Sequence, residues 1–278
     1  AGSTFAATIN VPGDYATIQA AVDAVNDGDE VVVAPGIYTS TADSVVNMHG
    51  KAITLRASGT PEETIIDGGT VRRGVVFTTN EGSATVLDGF AIMNCKPVVF
   101  SGWHGDSGAG VYCVSSSPTI RNCTIQNNET VNSIGAGIAC NINSSPLIEN
   151  CVITHNFYSG AGGGTGAGIS CYDASNPTIL NCEISHNSCA RGAGVACIVP
   201  GNWGASGSSP TITGCTISNN IASSNGGGIY CEDSSSPTIT GCTISGNTAT
   251  DSGGGMFSSN SSPTITSCIF SGNTLTTG

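Results

Sequence analysis

The sequence has few charged residues, few basic residues and no long apolar run, and each shortage excludes a class of function. Only 9% of its 278 residues are charged, and 7 basic against 19 acidic side chains give a formal net charge of −12. Such a surface repels nucleic acid and anionic membranes, so we expect neither as a partner. No stretch approaches the roughly 18 apolar residues of a membrane-spanning helix, so we expect no membrane span.

The beginning of the sequence also lacks features. It opens at Ala1, and no charged-then-apolar leader follows. We interpret this as a mature form from which a signal peptide has been removed, and we predict a secreted, extracellular or cell-surface protein. The acidic balance is then explained by solubility.

What the sequence does contain is repetition. From Gly108 onward a Gly-Ala/Gly-Gly-apolar-x-Cys motif alternates with a Pro-Thr-Ile-x-x-Cys-x-Ile-x-x-Asn motif, and successive prolines of the second lie 26 to 33 residues apart. Such a period indicates a solenoid, propeller or array. The apolar residues alternate, as at Ile239, Cys242 and Ile244, which predicts short strands. Since no amphipathic helix separates the copies, we predict a β-solenoid whose loops hold the length differences.

The N-terminal segment has a different pattern. Ile18, Ala21, Val22 and Val25 follow helical spacing, so we predict a helix over residues 14–26 that covers the open end of the first coil. We predict residues 1–50 as a cap of strand, helix and strand. Residues 51–278 are predicted as coils, continuous with the cap in one domain.

Several segments carry a family resemblance: VPGDYATIQAAVDAVNDGDEVVVAPGIYT, IIDGG, VLDGF and the PTIxxCxIxxN coils. Together they resemble pectate-lyase-like right-handed β-helix proteins, above all the repeat-rich secreted and surface members. The resemblance covers essentially the whole chain. It implies an all-β, right-handed parallel β-helix with an N-terminal capping helix. It implies no single activity, because the superfamily includes lyases, hydrolases, esterases, adhesins and structural proteins.

In a parallel β-helix, equivalent positions of successive coils lie about 4.8 Å apart, so repeated residues form ladders. We expect buried thiols in two cysteine ladders, because parallel Cβ atoms fit a disulfide poorly; disulfides are the alternative. We expect a structural asparagine ladder at a tight turn. The cysteine ladders are Cys113, Cys140, Cys171, Cys197 and Cys231, and Cys123, Cys151, Cys182, Cys215, Cys242 and Cys268. The asparagine ladder is Asn128, Asn156, Asn187, Asn220, Asn247 and Asn273.

Polar residues at shared repeat positions suggest local interactions. His155 and His186 precede ladder asparagines, so we expect stacked imidazoles that could bind a metal ion or simply form a polar edge. Arg121 and Glu149 are expected to form a surface ion pair. Asp67 and Asp88 precede glycines and are interpreted as turn residues of consecutive coils.

Aromatic residues in the long Gly-rich insertions are candidates for sugar stacking. Trp103, with His104 and Asp106 beside it, lies in one insertion; Trp203 lies in another and Tyr158 in a third. Adjacent polar groups would bind sugar hydroxyls. The alternative is that each aromatic ring covers the surface of the coils.

No motif of pectate lyases, polygalacturonases or pectin esterases is evident, although Lys51, Arg56, Arg72 and Arg73 leave an atypical N-terminal site open. We therefore expect a non-catalytic extracellular scaffold: a surface, adhesion or filament-forming protein. The alternatives are a polysaccharide-active lyase or hydrolase, with calcium as a candidate cofactor, and a carbohydrate-binding module. The last segment, SSPTITSCIFSGNTLTTG, has no capping helix. We expect self-association through the final coil; the alternatives are that a downstream domain covers this coil or that Leu275 and its neighbours fold over it.

Overall fold

The structure, a computed structural model, describes residues 6–97, 107–131, 133–160, 163–199 and 206–276. Its strands form four parallel sheets of ten, nine, eight and six strands, named here sheets A, B, C and D in that order. The chain passes from sheet A to B, then in later coils to D, and then to C, before the next coil begins. Each strand pairs with its equivalents in the neighbouring coils, so the described chain is a parallel β-solenoid.

The strand bounds follow the repeat. Sheet A contains Thr8–Val11, Glu30–Val33, Thr54–Ala57, Val86–Asp88, Thr119–Arg121, Leu147–Glu149, Thr178–Leu180, Thr211–Thr213, Thr238–Thr240 and Thr264–Thr266. Sheet B contains Gly36–Tyr38, Thr64–Asp67, Ala91–Met93, Thr124–Gln126, Val152–Thr154, Glu183–Ser185, Thr216–Ser218, Thr243–Ser245 and Ile269–Ser271. Sheet C contains Ser44–Asn47, Arg73–Phe77, Val111–Val114, Ile138–Asn141, Ile169–Tyr172, Val195–Ile198, Ile229–Glu232 and Met256–Ser259. Sheet D contains Glu129–Thr130, Phe157–Tyr158, Ser188–Arg191, Ile221–Asn225, Thr248–Ala249 and Thr274–Leu275.

The core is built from one β-branched or leucine side chain per short strand. Ile148 and Ile179 in sheet A, and Ile153 and Ile184 in sheet B, are fully buried and stacked in register. Their strand neighbours point outward because side chains alternate along a strand. The strands are therefore held together as columns of identical side chains, and burial of each such side chain contributes about 1.5–3 kcal/mol.

In the coils from Thr119 onward, the turns on either side of sheet B have constant length because a left-handed residue forms each of them. The A–B turn uses Asn122, Asn150, Asn181, Gly214, Gly241 and Ser267, and the B–D turn uses Asn127, His155, His186, Asn219, Gly246 and Gly272. Their φ angles lie between 51° and 64°, a region that Gly adopts freely and in which Asn and His are enriched. In these coils the length differences fall elsewhere, at the two ends of sheet C, whereas an earlier A–B connection, between Ala57 and Thr64, is longer.

The repeated glycines before sheet C allow the coils to approach closely. A Cβ added at Gly168 would lie 2.4 Å from the carbonyl oxygen of Gly194 and 3.1 Å from the Nδ2 of Asn187. Such distances leave no space for a side chain. The glycine column and the asparagine ladder therefore depend on each other.

The capping helix is shorter than predicted: it spans Ile18–Ala24 instead of residues 14–26. It begins late because Thr17 is the N-cap, accepting from the backbone N–H of Ala20, while the Asp14 carboxylate accepts from the backbone of Asn10 in the preceding turn. It ends at Val25, which has extended backbone angles. Among the described residues this is the one α-helix, and it is too short to cross a membrane.

Asp67 and Asp88 of the early coils lie in different sheets. Ile66 and Asp67 pair with Ile92 and Met93 in sheet B, whereas Asp88 lies in sheet A. The two aspartates therefore do not occupy equivalent positions, as their shared Asp-Gly pattern had suggested. Asp67 does form a turn, since its carboxylate accepts from the N–H of Gly69 at 2.8 Å.

Candidate functional site

The B–D turn contains the most continuous polar feature of the molecule, the asparagine ladder. The Nδ2 group of Asn156 donates to the carbonyl oxygen of Ile125 at 2.9 Å and to Oδ1 of Asn187 at 3.0 Å. Its own Oδ1 accepts from the backbone and side chain of Asn128. The ladder asparagines from Asn128 to Asn247 are fully buried, so these bonds satisfy amides that have no access to water.

The ladder has one further rung that the sequence pattern missed. Cys95 is buried, and its backbone N–H donates to Oδ1 of Asn128 at 3.0 Å, as a ladder asparagine would. The signal was available in the sequence, because Ile92 and Cys95 have the same spacing as Ile125 and Asn128. A cysteine at an asparagine position hid it.

The cysteines of both ladders lie in successive coils. Cys113, Cys140 and Cys171 are paired in register in sheet C, and Ser258 continues that column after Cys231. In the other ladder, the Cys182 thiol donates to carbonyl oxygens and its sulfur accepts from the backbone N–H of Cys151 at 3.5 Å. All thirteen cysteines are free thiols; Cys268 is partly exposed and the others are buried.

Burial keeps the thiols of Cys113, Cys140 and Cys189 protonated. It raises the pKa of Cys113 and of Cys140, and it raises the pKa of Cys189 to about 11. A thiol is a nucleophile or a metal ligand only as the thiolate. These cysteines therefore behave as small apolar side chains.

The two histidines form a parallel stack on the surface of the B–D turn. The ring centroids of His155 and His186 are 5.0 Å apart and their planes differ by 3°. Both rings are exposed, and Asn127 and Asn219 occupy the same position in the flanking coils. The Nδ1 atom of His155 is 2.9 Å from the hydroxyl of Thr154.

The basic side chains of the N-terminal coils are not gathered into one site. Lys51 donates to the carbonyl oxygens of Asp23 and Val25 at the end of the helix, at 2.6 Å each. Arg56 forms an ion pair with Glu30 at 2.6 Å.

The two arginines nearer sheet C also make separate contacts. Arg72 donates to the carbonyl oxygen of Ala42 and to the hydroxyl of Thr39. Arg73 donates to the carbonyl oxygen of Ser107 and lies 4.7 Å from the centre of the Tyr112 ring.

Arg121 forms an ion pair, but the predicted partner, Glu149, was wrong. Arg121 is paired with Asp88 of the preceding coil, with Nε and Oδ2 2.9 Å apart, and Asn122 donates to the other oxygen of the same carboxylate at 2.7 Å. Glu149 lies on the opposite side of Arg121 in the register. The carboxylate that also accepts from Asn122 is the one that holds the guanidinium.

A family model described as a right-handed β-helix region matches residues 44–202 and 198–278. The chain belongs to this right-handed β-helix family. A crystal structure of the pectate lyase Pel9A matches this β-helix with a TM-score of 0.60 and 14% identity, over 96% of this chain and 79% of that chain. At this identity the likeness concerns the fold alone. No curated protein matches the chain closely enough to be called a relative.

The candidate sugar-binding residues of this β-helix are only partly described. Trp103, His104, Asp106 and Trp203 lie outside the described residues. Tyr158 lines an open pocket of about 350 Å³ together with Ser188, Ile221 and neighbouring residues.

The Tyr158 side chain also packs into the molecule. It packs against the small buried cluster of Ala167, Cys189 and three further alanines beneath sheet D. A Cβ at Gly164 would lie 2.1 Å from the ring, so the glycines of this insertion fit closely around the tyrosine. The residue thus anchors its own loop and also borders the pocket.

Proposed function

We propose that this β-helix is a non-catalytic extracellular scaffold. The observation that carries the proposal is that each of its seven Lys and Arg side chains has a structural partner. Besides Lys51, Arg56, Arg72, Arg73 and Arg121, Lys96 pairs with Glu129 at 2.6 Å and Arg191 lies over the Tyr230 ring, 5.7 Å from its centre. A general base must instead be able to reach the proton that it abstracts from a bound substrate.

The distribution of the repeated residues supports the same proposal. The ladder residues bond to one another or to the backbone, and the isoleucine columns fill the interior. The features that distinguish one coil from another are insertions at the ends of sheet C. A stacked frame that carries variable loops suits presentation and adhesion more than chemistry along a groove.

A glycan screen tests the proposal. Pectin, polygalacturonate, alginate and other glycans are incubated with the protein with and without calcium, and soluble products are measured by chromatography. We expect no product under any condition. Product that disappears in Arg72→Gln, whose contacts are exposed hydrogen bonds, would overturn the proposal; an Arg121→Gln variant controls for general loss of an arginine.

The second candidate is carbohydrate binding without turnover, favoured by the pocket that Tyr158 borders. In this case glycan affinity measured by calorimetry falls in Trp103→Ala, in Trp203→Ala or in Tyr158→Ala. Phe157→Ala is the matched control, because Phe157 precedes Tyr158 in the same strand and does not line the pocket. Equal loss in all four variants would indicate a folding defect and contradict specific binding.

The polysaccharide-active alternative retains calcium as its candidate cofactor. Among the residues that the structure describes, no three His, Cys, Asp or Glu side chains are grouped so as to hold a metal ion. The calcium arm of the glycan screen therefore tests this alternative directly, without reference to a chosen site.

Self-association through the final coil is part of the scaffold proposal. The equivalent residues of the preceding coil, Ile239 and Ala249, are fully buried, but Ile265 is 44% exposed and Leu275 is 51% exposed. No charged residue follows Asp251 in the sequence, so the strands of the final coil carry no charged side chain. We propose that a second copy of the chain covers it.

A further inference from the structure

One of the stacked histidines, His155, is connected to a chain of hydrogen bonds that runs between two coils. The hydroxyl of Thr154 is 2.9 Å from Nδ1 of His155 and 3.2 Å from the hydroxyl of Ser185. The Ser185 hydroxyl in turn donates to the Glu183 carboxylate at 2.9 Å. Ser185 is 1% exposed, so the middle of the chain is shielded from water although both histidine rings are on the surface.

The hydrogen bonds from His155 to Glu183 can be assigned donors and acceptors in only one way if every hydrogen is used once. A carboxylate accepts only, and a hydroxyl has a single hydrogen to donate. Ser185 gives its hydrogen to Glu183, so Thr154 must donate to Ser185. The remaining bond then requires that His155 donate from Nδ1 to Thr154. The neutral His155 ring therefore carries its proton on Nδ1, and the lone pair of Nε2 is free.

This is the arrangement that a metal-binding imidazole requires. A ligating histidine uses the lone pair of one ring nitrogen, while the other nitrogen donates to a group that fixes the ring and its tautomer. We propose that His155 and His186 form a two-histidine site for a borderline transition ion such as Ni²⁺, Cu²⁺ or Zn²⁺. The proposal does not depend on the scaffold function.

The distances are compatible with the site after a small movement of the rings. Two imidazole nitrogens on one ion lie ~2.9 Å apart at neighbouring tetragonal positions and ~3.4 Å apart at tetrahedral ones, since each metal–nitrogen bond is about 2.0–2.1 Å. The ring centroids are 5.0 Å apart, so the exposed rings must tilt towards each other at the metal. Exposed side chains make such movements on the picosecond to nanosecond timescale. Water completes the coordination, because no third protein ligand of the usual types joins the pair among the described residues.

The neighbouring coils show which substitution is suitable for testing the site. Asparagine occupies the same left-handed position in the two flanking coils, so His155→Asn and His186→Asn preserve the turn. His49→Asn is the matched control: His49 also has a positive φ, and its ring contacts Asp23 instead of a second histidine. His104→Asn covers the remaining histidine of the sequence.

Calorimetry with Ni²⁺ gives the first measurement. We expect one ion per chain, at least a tenfold loss of affinity in His155→Asn and in His186→Asn, and unchanged binding in His49→Asn and His104→Asn. Circular dichroism melts should coincide for all variants. The proposal is overturned if the wild-type protein does not bind Ni²⁺, or if the double variant His155→Asn/His186→Asn binds it as the wild type does.

A second variant separates ring positioning from ligation. Ser185→Ala interrupts the chain but keeps both histidines, and loss of an outer hydrogen bond of this kind typically weakens metal affinity about 10- to 100-fold. Nitrogen NMR of the metal-free protein should show the Nδ1–H tautomer of His155 in the wild type and a mixture in Ser185→Ala. A wild-type ring protonated on Nε2 would overturn the assigned direction of the chain.

Discussion

At the scale of single residues, the asparagine ladder shows how one side chain links three coils. Asn220 accepts at Oδ1 from the backbone and side chain of Asn187, and its Nδ2 donates to the carbonyl oxygen of Ile184 and to Oδ1 of Asn247. All of these groups are buried. No other side chain of this size offers both a donor and an acceptor in one plane.

We predict that Asn220→Ala lowers the free energy of unfolding by about 1–3 kcal/mol, because it leaves buried donors and acceptors without partners. Urea denaturation measures the change. The control is Asn219→Gly, since Asn219 is exposed and the next coil has Gly246 at this position; surface changes of this kind stay within about 0.5 kcal/mol. Equal stability of Asn220→Ala and wild type would contradict a structural ladder.

At the scale of an element, each cysteine ladder is a column of thiols that face the interior. The backbone brings the sulfurs of adjacent coils near one another, and in the ladder that contains Cys182 and Cys215 the thiols donate to backbone carbonyl oxygens. The columns therefore resemble the isoleucine columns beside them in their contribution to the core.

We predict that all thirteen thiols react with a thiol reagent after unfolding without reductant, whereas only Cys268 reacts readily in the folded protein. Cys268 is the partly exposed member of the set, and burial of the others keeps a reagent from reaching them. Cys268→Ser should remove the fast phase. One or two reactive thiols after unfolding would mean that the ladders are disulfide-bonded.

The same burial makes stability depend on alkaline pH. The pKa of Cys189 is raised to about 11 from an ordinary value of 9.0, so its contribution is fully present below pH 9 and is lost as the pH rises towards 11, because the unfolded chain releases this proton first. We predict that raising the pH from 8 to 10 lowers the free energy of unfolding of the wild type by about 1 kcal/mol more than that of Cys189→Ala. Urea denaturation at both pH values measures the difference, and alanine is the residue found at this position in the next coils. A difference that does not change with pH would contradict the burial effect.

At the scale of the whole molecule, the two ends of the solenoid differ. The helix Ile18–Ala24 packs against the first strands of sheets A and C, and its buried residues are Ile18, Ala21 and Val22. At the other end, Phe270 is 44% exposed although the equivalent Ile244 is fully buried. The final coil is therefore the surface to test for the proposed self-association.

We predict that the average mass in sedimentation equilibrium rises with concentration for the wild type and stays monomeric for Phe270→Asp, which puts a charge on the exposed end. Thr266→Asp is the control, because it adds the same charge to the same coil on the outer face of sheet A. Monomers at every wild-type concentration, or an equal effect of both variants, would contradict association through this face.

The sequence predicts the repeated part of the fold because each coil repeats the same inward side chains, and the strands of sheets A, B and C follow them closely. It predicted the helix with the wrong bounds, because the N-cap interaction of Thr17 and the turn at Asp14 are not visible in apolar spacing. It missed sheet D, where strands such as Thr248–Ala249 are too short to show alternation. In the candidate site, the repeat predicts that His155 and His186 share a position. It does not predict the link from Glu183 through Ser185 to Thr154, because that link depends on contacts between two coils.

The constant turns around sheet B give the coils a fixed spacing along the axis of the solenoid. Coils follow one another at about 4.8 Å, and from Thr119 onward the left-handed turn residues keep this side free of insertions. Two groups carried on insertions of different coils are thus separated along the axis by a whole number of steps. Removing one complete coil between them would shorten that separation by one step and leave their orientation unchanged. Distances between such groups can therefore change only by whole coils.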